Sequence, residues 1–483
     1  MNRDELMKLD KSEIIEILFA TLAIVEEQSE QIKQLTVKIS ELEARLHQNS
    51  TNSSRPPSSD VFPRPPSPRK PSGKKAGGQK GHKGKGFKLP HPPDVVVEYN
   101  PVQCTGCAHV AVCPAAKSVS DRRYEVDIEI KTVLTEHHTL RVQCPMTNEM
   151  LTGNFPLDIT GTVQYGVNLE ALAISLNTSG MVSINRTHEL LSDVFGVPIS
   201  VGTIATMVKN CAHRVSKMIS PIKDAILGEK LVHFDETGVR VNGKTLWDHD
   251  ASTNNLTYHF ISEKRGKKGM DEAGILPNYN GIGVHDCWSS YFKYDSMDHA
   301  LCGAHVLREL IAVTENTQQK WAQELIDLFR EMNATKDELI AQGQHEAPEQ
   351  VWREFSRRYD EILQEAQAQN PIPEKNPGEK GRPKKGKVRA LIDRLVLHKE
   401  KWLLFFTDFR VPFTNNQAER DIRPFKVKQK VSGCFRTMQG AKDFATIMSF
   451  VSTARKNGKS AFLAIKDALG NDPFSARLAL ASK

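Results

Sequence analysis

The 483-residue chain has no run of about 18 apolar residues, so the sequence predicts no membrane-spanning helix. Its first residues, MNRDELMKLD, contain no apolar stretch behind a basic start, and we therefore expect no secretory signal. Cysteine is sparse, with eight residues in the whole chain. In a long chain without a signal, such cysteines are better interpreted as reduced thiols or metal ligands than as disulfides. We expect a cytoplasmic protein.

The composition fits a folded protein of two to four domains, with 39% hydrophobic and 25% charged residues. The net charge of +7 is modest, but it is unevenly distributed. Ten Lys or Arg residues and a single acid, Asp60, lie between Arg55 and Lys88, and a second basic run, GRPKKGKVR, begins at Gly381. Each run is either a solvated linker or a segment that binds a polyanion such as DNA, and the two interpretations are compatible.

The N-terminal segment, 1–48, has the pattern of a coiled coil. Apolar residues alternate at spacings of three and four, at Ile32, Leu35, Ile39, Leu42 and Leu46. A long helix with one apolar stripe either pairs with a second copy or packs on its own protein. The Pro-rich sequence that follows favours the first, a homodimer or higher oligomer. Segment 49–94 is rich in Ser, Pro, Gly and Lys, which predicts a disordered basic linker.

A cysteine-bearing segment, 95–157, resembles a zinc ribbon. Two thiolates separated by two residues can occupy adjacent corners of a zinc tetrahedron, and a distant second pair normally completes it. Here the second pair is broken, because Thr147 stands where its second cysteine belongs. Candidate zinc ligands are Cys104, Cys107, Cys113 and Cys144, with His109, His137 and His138 as other choices for the fourth position. The alternative is a ribbon that has lost its metal and keeps the cysteines as small core residues.

Segment 158–225 has a helical pattern. A first helix containing Ile184 and Leu191 ends at a turn, Gly196-Val197-Pro198, and Ser200 is a plausible N-cap for a second helix. This order is typical of a helix-turn-helix, whose second helix can enter the major groove of DNA. An ordinary helical hairpin would give the same pattern.

The sequence from 226 to 300 predicts three antiparallel strands, a helix near Met270 and a short buried strand, GIGVHD. A helical insertion, 301–406, and a further helical part, 407–483, follow. Two acids lie at the expected strand ends, Asp235 after Leu-Val-His-Phe and Asp286 after Gly-Ile-Gly-Val-His, and Glu419 lies in a helix that Asn416 would cap. This is the element order of a ribonuclease H-like fold. Glu236, Asp295 and Asp298 are nearby, so acids alone do not fix the assignment.

Three convergent carboxylates suit one chemistry. Two divalent ions about 4 Å apart can activate water or a 3′-hydroxyl and stabilise the leaving oxygen of a phosphoryl transfer. Magnesium prefers hard oxygen ligands and keeps several of its waters, so three carboxylates suffice. Attack by water would nick a DNA strand, and attack by the freed 3′-hydroxyl would join it to another DNA.

The chain resembles the insertion-sequence-66 family of bacterial transposases over about residues 15–460. The matching segments occur in the family's order: HQNSTNSSRPPSSD, GGQKGHKGKG, VFGVPISVGTIA, HFDETGVRVNGKTLWDH, HDCWSSYFKY, CGAHVLREL and TNNQAERDIRPFKVKQKVSGCFRT. The leucine-zipper-like start and the cysteine ribbon match as well. The resemblance implies a multidomain α+β protein: a ribonuclease H-like catalytic core with a large helical insertion, preceded by coiled-coil, zinc-ribbon-like and helix-turn-helix-like segments.

The resemblance also implies a DDE transposase that uses Mg²⁺ or Mn²⁺ and acts on terminal inverted repeats and target DNA. The family's acids correspond to Asp235, Asp286 and Glu419. Cys302 and His305 match its CxxH-like step, and whether they bind metal or only pack is open. Small accessory proteins of the same element are possible partners, and a nucleoid-associated location is expected. We expect DNA contacts from six basic residues: Lys83, Lys85, Arg423, Lys426, Lys428 and Lys430.

Two alternatives to an active transposase remain at this point. A catalytically decayed copy would bind DNA as a repressor, although the presence of all three acids disfavours it. A nuclease relative would hydrolyse DNA without ever joining it. Strand-transfer products distinguish these proteins.

Overall fold

The computed structural model describes residues 10–49, 52–53, 89, 91–99, 101, 104, 107–109, 112, 114, 118–317, 319–372 and 385–470. The chain divides into two units, one formed by residues 1–65 and 134–483 and the other by residues 66–133. In the described part of the smaller unit, residues 118–133 carry neither helix nor strand, and Cys104 and Cys107 lie in a turn where the Cys107 amide donates to the Cys104 carbonyl. None of the described helices has both the length and the apolar character needed to cross a bilayer.

Helix α1 spans Lys11–Leu46 in the larger unit. It begins with a capping box, in which the Asp10 side chain accepts from the Ser12 and Glu13 amides and the Glu13 carboxylate accepts from the Asp10 amide. The apolar stripe is exposed along the helix, for example at Ile32, Leu35 and Leu42. The helix predicted for this segment is confirmed, and the coiled coil stays a prediction.

A small hairpin, β1 (Arg141–Gln143) and β2 (Met150–Thr152), surrounds Cys144. The Cys144 carbonyl accepts from the Asn148 amide, and Asn148 has a positive φ of 61° that closes the turn. Hydrogen bonds from Thr147 and Met146 lower the pKa of the Cys144 thiol. The turn carries one cysteine, and Thr147 stands where a zinc knuckle would have its second.

Four helices follow: α2 (Val167–Asn177), α3 (Ile184–Phe195), α4 (Val201–Ser216) and α5 (Ile219–Leu227). The turn between α3 and α4 is as predicted, with Gly196 in the left-handed region at φ 63° and the Ser200 hydroxyl capping α4. The inner side of α4 packs through Ile204 and Cys211 against the two C-terminal helices described below. Helices α3 and α4 therefore share their hydrophobic core with residues more than 200 positions later in the chain.

The centre of the larger unit is a five-stranded mixed sheet. Its strands are β3 (Leu231–Val241), β4 (Lys244–Ser252), β5 (Thr257–Ser262), β6 (Ile282–His285) and β7 (Asp298–Leu301), in the spatial order 5-4-3-6-7. Strands β3, β4 and β5 are antiparallel, as predicted, and β6 and β7 run parallel to β3. Asn242 and Gly243, at φ 44° and 79°, form the two-residue turn between β3 and β4. A short helix, α6 (Lys267–Ala273), precedes β6.

The insertion is helical, as expected. It contains α7 (Gly303–Thr317), α8 (Lys320–Ala341), α9 (Glu349–Gln369), α10 (Gly386–Leu397) and α11 (Lys399–Thr407). Their buried side chains, such as Trp321, Phe329 and Trp402, form one core with Val284 of β6 and Ala300 of β7. The insertion is thus anchored directly on the parallel side of the sheet.

Helices α12 (Asn416–Ser432), α13 (Met438–Lys456) and α14 (Ala461–Leu469) complete the described chain. The two faces of β3 bury different side chains, since successive strand residues point to opposite sides. Val232 and Phe234 join a core with α5 and α6, and Val239 and Val241 join a core with Phe425 of α12 and Phe444 of α13. Helix α12 therefore covers the face to which the odd-numbered residues of β3 point.

Two local predictions are corrected by the structure, and one strand was not predicted. Strand β3 does not end at Asp235 but continues to Val241, because β4 stays paired with it after β6 has ended. Helix α12 begins at Asn416, with Asn415 in the cap position, so Asn416 is not the cap. The fifth strand, β7, was not predicted, since four residues reading Asp-His-Ala-Leu are too short to show a pattern.

Candidate functional site

Asp235 lies where β3 loses its parallel partner. The pairing of β3 with β6 ends at His233 and Val284, and Asp235 is two residues further on, still paired with Asp250 of β4. It points to the face under α12 and accepts a hydrogen bond of 2.9 Å from the Glu236 amide. Burial raises the pKa of Asp235 well above its usual range, and the negative charges of Glu236 and Asp286 raise it further.

Asp286 follows β6 directly, on the strand beside β3. Its Oδ1 accepts a 3.0 Å hydrogen bond from the Trp288 amide, which holds the carboxylate against its own turn. The charge of Asp286 acts on both Asp235 and Glu236. The parallel pairing of β3 and β6 thus brings Asp235 and Asp286 together, as the sequence predicted.

Glu236 points to the opposite face of β3 and has different surroundings. Its Oε1 accepts from the Arg265 guanidinium at 2.8 and 3.0 Å, and its Oε2 accepts from the Tyr291 hydroxyl at 2.6 Å. Arg265 lies over the rings of Trp247 and Trp288, at 5.0 and 4.3 Å from their centroids. Both carboxylate oxygens of Glu236 therefore already have partners, which distinguishes it from Asp235.

Glu419 lies in the first turn of α12, and Asn415 fixes the start of that helix. The Asn415 side chain donates to the Phe234 carbonyl at 2.8 Å and pairs with His233 Nδ1 at 2.8 Å, while its amide donates to Cys302 Sγ at 3.1 Å. These bonds join α12 to β3 and to the end of β7. They place Glu419 at the same end of the sheet as Asp235 and Asp286.

We call Asp235, Asp286 and Glu419 the acid cluster. Glu419 and Asp235 share one neighbour, His305 of α7, whose Nδ1 lies 3.9 Å from Glu419 Oε1 and whose charge acts on Asp235. Within the described part of the chain, Glu419 Oε1 is buried without a hydrogen-bond partner. Cys302, His305 and Glu419 are the one trio of described residues whose potential ligand atoms all lie within 4.8 Å of one another, so the three acids are spaced more widely than that.

The basic residues predicted on α12 differ in exposure. Arg423, Lys426 and Lys430 are exposed, and Lys426 lies close enough to Asp235 for their charges to interact. Lys428 is buried, and its ammonium donates to the carbonyls of Asn177 and Val182 at 2.7 and 3.2 Å. Burial lowers the pKa of Lys428 to about 8. A cation held in this way is not available to DNA.

A second group of charges lies on the same face of the sheet, and we call it the buried ion network. Its members are Asp248, Asp250, His259, Asp421 and Lys456. The His259 ring nitrogen Nδ1 lies 3.1 Å from Asp248 and 3.4 Å from Asp250, and Lys456 pairs with Asp421 at 2.5 Å. Burial alone would lower the pKa of His259, but the carboxylates of Asp248 and Asp250 raise it to about 9. Burial raises the pKa of Asp250 to about 8.

The structure describes only some of the predicted zinc ligands and linker lysines. Cys104 and Cys107 are exposed thiols in the smaller unit, and Cys144 is a half-buried thiol in the hairpin of the larger one. Cys113, Lys83 and Lys85 lie outside the described residues. Zinc binding by the cysteine segment therefore stays a prediction.

Sequence reasoning missed the residues that connect the acids. Asn415 carried no signal beyond its place before the helix, and the partnership of Glu236 with Arg265 and Tyr291 joins residues from three distant segments. Cys302 and His305 were noticed only as a motif. Their contact with Glu419 depends on how the 132 residues between Asp286 and Glu419 fold. The buried ion network was not predicted at all.

The sheet carries one acid just beyond the parallel pairing of β3 with β6, a second directly after β6 and a third on a covering helix, which defines a mixed α/β protein with a candidate site of three carboxylates. The family model described as "Transposase IS66 family" matches residues 162–443, more than half of the chain. The chain belongs to the IS66 family of transposases. A second model, described as a family of unknown function (DUF6444), matches residues 7–88.

One curated relative is similar over most of its length. It is a protein of Sinorhizobium fredii (strain NBRC 101917 / NGR234) described as "Uncharacterized protein y4hP". The two chains are 22% identical over 416 residues, which are 77% of this chain and 71% of the relative. The description of this relative names no activity.

Proposed function

We propose that this protein is a DNA transposase that cleaves DNA at the terminal inverted repeats of an insertion sequence and joins the freed end to target DNA. The observation that carries the proposal is the acid cluster. In a chain of the IS66 family, three carboxylates, on β3, directly after β6 and on α12, lie at one end of the sheet, with His305 3.9 Å from Glu419 and Lys426 near Asp235. DNA is the polyanion on which such a site would act.

The strand order supports a ribonuclease H-like core. Three antiparallel strands are followed by two that run parallel to the first, which gives the spatial order 3-2-1-4-5 when the five strands are numbered from β3. Asp235 on the first of them and Asp286 after the fourth match the positions that the resemblance implies. The helical insertion then separates the fourth and fifth strands from the helix that carries the third acid.

The acid cluster fits hard divalent cations. Its donor set is carboxylate oxygen, which Mg²⁺ and Mn²⁺ prefer, and the buried Glu419 Oε1 has no hydrogen-bond partner within the described part of the chain. Burial first, and repulsion by Glu236 and Asp286 second, raise the pKa of Asp235, and a bound cation would favour its charged form. Asp235, Asp286 and Glu419 would hold the ions. When bound, two such ions supply Lewis-acid activation of the attacking oxygen and stabilise the leaving oxygen.

The chain's own residues orient this chemistry. The Trp288 amide fixes Asp286, and the Asn415 contacts fix the helix that carries Glu419. In the cleavage step, a water oxygen bonds to phosphorus, the phosphorus–O3′ bond breaks, and a 3′-hydroxyl is released. In the joining step, that hydroxyl attacks a target phosphodiester, so one phosphodiester bond forms as another breaks. No side chain becomes covalently modified.

Two surfaces of the larger unit suit contact with DNA. On α4, the side that faces away from the core presents Thr206, Lys209, Asn210 and His213, all exposed, which supports the use of this helix to read a groove. On α12, Arg423, Lys426 and Lys430 are exposed close to the acid cluster, which supports phosphate contacts there. The proposed surface does not include Lys428.

The exposed stripe of α1 supports self-association. A helix of 36 residues with apolar side chains at heptad spacing leaves a long seam in water, and a second copy of the same helix would cover it. We propose a homodimer or higher oligomer held in this way. We also propose that small accessory proteins of the same element are partners, and that the protein is cytoplasmic and associated with the nucleoid.

Strand chemistry on terminal-repeat DNA tests the proposal. The purified protein is incubated with labelled end DNA and Mg²⁺ or Mn²⁺, and the products are separated on a denaturing gel. We expect cleavage and joining by the wild type, and loss of both in Asp235→Ala, Asp286→Ala and Glu419→Ala with DNA binding retained. Asp295→Ala, an exposed acid near Asp286, is the matched control and should behave as the wild type.

Each contrary result has a definite meaning. Activity retained in one variant removes that residue from the site. Binding of the ends without metal-dependent cleavage under any condition replaces the proposal with a decayed copy that acts as a repressor. Cleavage without joined products replaces it with a nuclease.

A further inference from the structure

We propose that Cys302, His305 and Glu419 form a second cation site, selective for a thiophilic divalent ion such as Zn²⁺, that takes Glu419 away from the acid cluster when it is filled. The site lies where β7 ends and α7 begins, against the first turn of α12. Only its competition with the acid cluster rests on the proposed function, whereas cation binding itself does not.

The three donor atoms already stand close to a metal-binding geometry. All lie within 4.8 Å of one another, and His305 Nδ1 is 3.9 Å from Glu419 Oε1. Ligand atoms on a tetrahedral zinc ion are roughly 3.3–3.8 Å apart, given bonds of about 2.0–2.3 Å. A movement of about 1 Å in the side chains would bring all three atoms to these separations.

Two of the three donor atoms are too far apart to form a hydrogen bond with each other, at 3.9 Å. His305 Nδ1 and Glu419 Oε1 are buried atoms without a hydrogen bond among the described residues, although they face each other. Leaving two such atoms unpaired is costly, because each has lost its water. A cation between them would satisfy both at once, which a packing role for the CxxH step does not explain.

The third donor is held in place by the fold. Cys302 Sγ is completely buried and accepts the Asn415 amide at 3.1 Å, a bond typical of a sulfur that carries negative charge. Asn415 is in turn fixed to the Phe234 carbonyl and to His233. The sulfur is therefore oriented before any ion arrives. The side chains of His305 and Glu419 remain about a quarter exposed, which leaves a path for the ion.

The types of donor atom determine which ion the site prefers. Sulfur and imidazole select Zn²⁺, Co²⁺ or Cd²⁺ over Mg²⁺, which requires oxygen ligands. Glu419 is the one donor common to this site and the acid cluster. An ion bound through Cys302 and His305 would hold Glu419 on its own side, so thiophilic ions should inhibit a reaction that Mg²⁺ supports.

Cobalt titration of the full-length protein tests the site directly. Co²⁺ bound to a thiolate gives charge-transfer absorption in the near ultraviolet, and the comparison uses the wild type, His305→Gln, Cys302→Ser and Cys287→Ser. The other cysteines are the same in the wild type and His305→Gln, so their contribution cancels in that comparison. Cys287 is a half-buried thiol next to Asp286 and outside the trio, which makes Cys287→Ser the control.

We expect His305→Gln and Cys302→Ser to lose one equivalent of bound Co²⁺, with an affinity at that site lowered more than about 100-fold. Cys287→Ser should keep it. If burial makes Cys302→Ser unstable, His305→Gln at its partly exposed position still decides the question. Equal cobalt stoichiometry and equal spectra in the wild type and His305→Gln would overturn the proposal. Because no DNA is present, this result is independent of whether the protein is a transposase.

Discussion

The acid cluster and the buried ion network lie side by side on one face of the sheet, yet their charges are balanced differently. Asp235 is directly paired across the strands with Asp250, so the two groups meet there. In the network, His259 contacts two carboxylates and Lys456 pairs with Asp421. In the cluster, burial and neighbouring acids raise the pKa of Asp235, and the His305 ring lies 3.9 Å from Glu419, farther than the ion-pair contacts of the network. Among the described residues, buried carboxylate oxygens without a hydrogen bond occur in both groups, on Asp248 and Asp250 as well as on Glu419.

This contrast separates acids that support the fold from acids that are free to bind a ligand. A buried carboxylate with a cationic partner is stable only while that partner is present. A carboxylate surrounded by other carboxylates destabilises the free protein, and a bound cation removes this destabilisation. Substitutions in the acid cluster should therefore reduce activity more than stability. Substitutions in the buried ion network should reduce stability more than activity.

The largest effect is expected from Asp235→Asn. Removing one oxygen ligand should reduce DNA cleavage at least about 1000-fold, which corresponds to about 4 kcal/mol in the activation free energy. The same change should leave the free energy of unfolding in urea unchanged or raise it by about 1 kcal/mol, because it removes a repelled charge. A fall in both quantities would mean that Asp235 belongs with the structural acids.

The next effect concerns the buried ion network. In His259→Leu, Asp248 and Asp250 lose the imidazolium that they share, and removal of one partner from a buried pair costs about 3–5 kcal/mol. Urea unfolding should show this loss. The variant that remains folded should still cleave DNA with the metal dependence of the wild type, and a selective loss of cleavage would contradict the contrast.

The pH dependence of stability provides a third comparison. His259 has a folded pKa of about 9, above its ordinary 6.5, so its stabilisation is complete below pH 6.5 and is lost as the pH rises through 9. The wild-type free energy of unfolding should fall by roughly 3 kcal/mol over that window. Asp250, with a folded pKa of about 8, acts in the same direction below that pH. His259→Gln should flatten the slope, and an unchanged slope would exclude a charged His259.

The smallest effect is expected on α12. Arg423→Ala and Lys430→Ala should each weaken DNA binding a few-fold and reduce the slope of log affinity against log salt by about 1. Lys428→Met, two residues from Lys430 but buried, should leave that slope unchanged. A reduced slope in Lys428→Met would mean that its ammonium leaves the Asn177 and Val182 carbonyls to reach DNA.

Much of the local structure could be predicted from the sequence. The Gly196 turn, the Ser200 cap, the Asn242-Gly243 hairpin and the three antiparallel strands follow from residue preferences over a few positions. The sequence motifs around Asp235, Asp286 and Glu419 identified these residues as the counterparts of the family's three acids. The parallel pairing of β3 with β6 then brings the first two acids together.

What could not be predicted depends on contacts between distant segments. Strand β7 is too short to show periodicity, and it exists because β6 pairs with it and the insertion covers it. Lys428 looks like its basic neighbours in sequence, but it is buried because α12 packs on the end of α2. The compensation of Asp248 and Asp250 by His259 is likewise visible only once β4 and β5 are paired.

Binding of Mn²⁺ in the absence of DNA tests the central claim most directly, because free Mn²⁺ can be counted by its paramagnetic resonance signal. We expect the acid cluster to hold the cation, and we expect the neighbouring buried ion network not to hold one. The wild type and His259→Gln should bind Mn²⁺ alike, whereas Asp235→Asn and Asp286→Asn should lose that binding. Undiminished Mn²⁺ binding in Asp235→Asn and Asp286→Asn would contradict the claim.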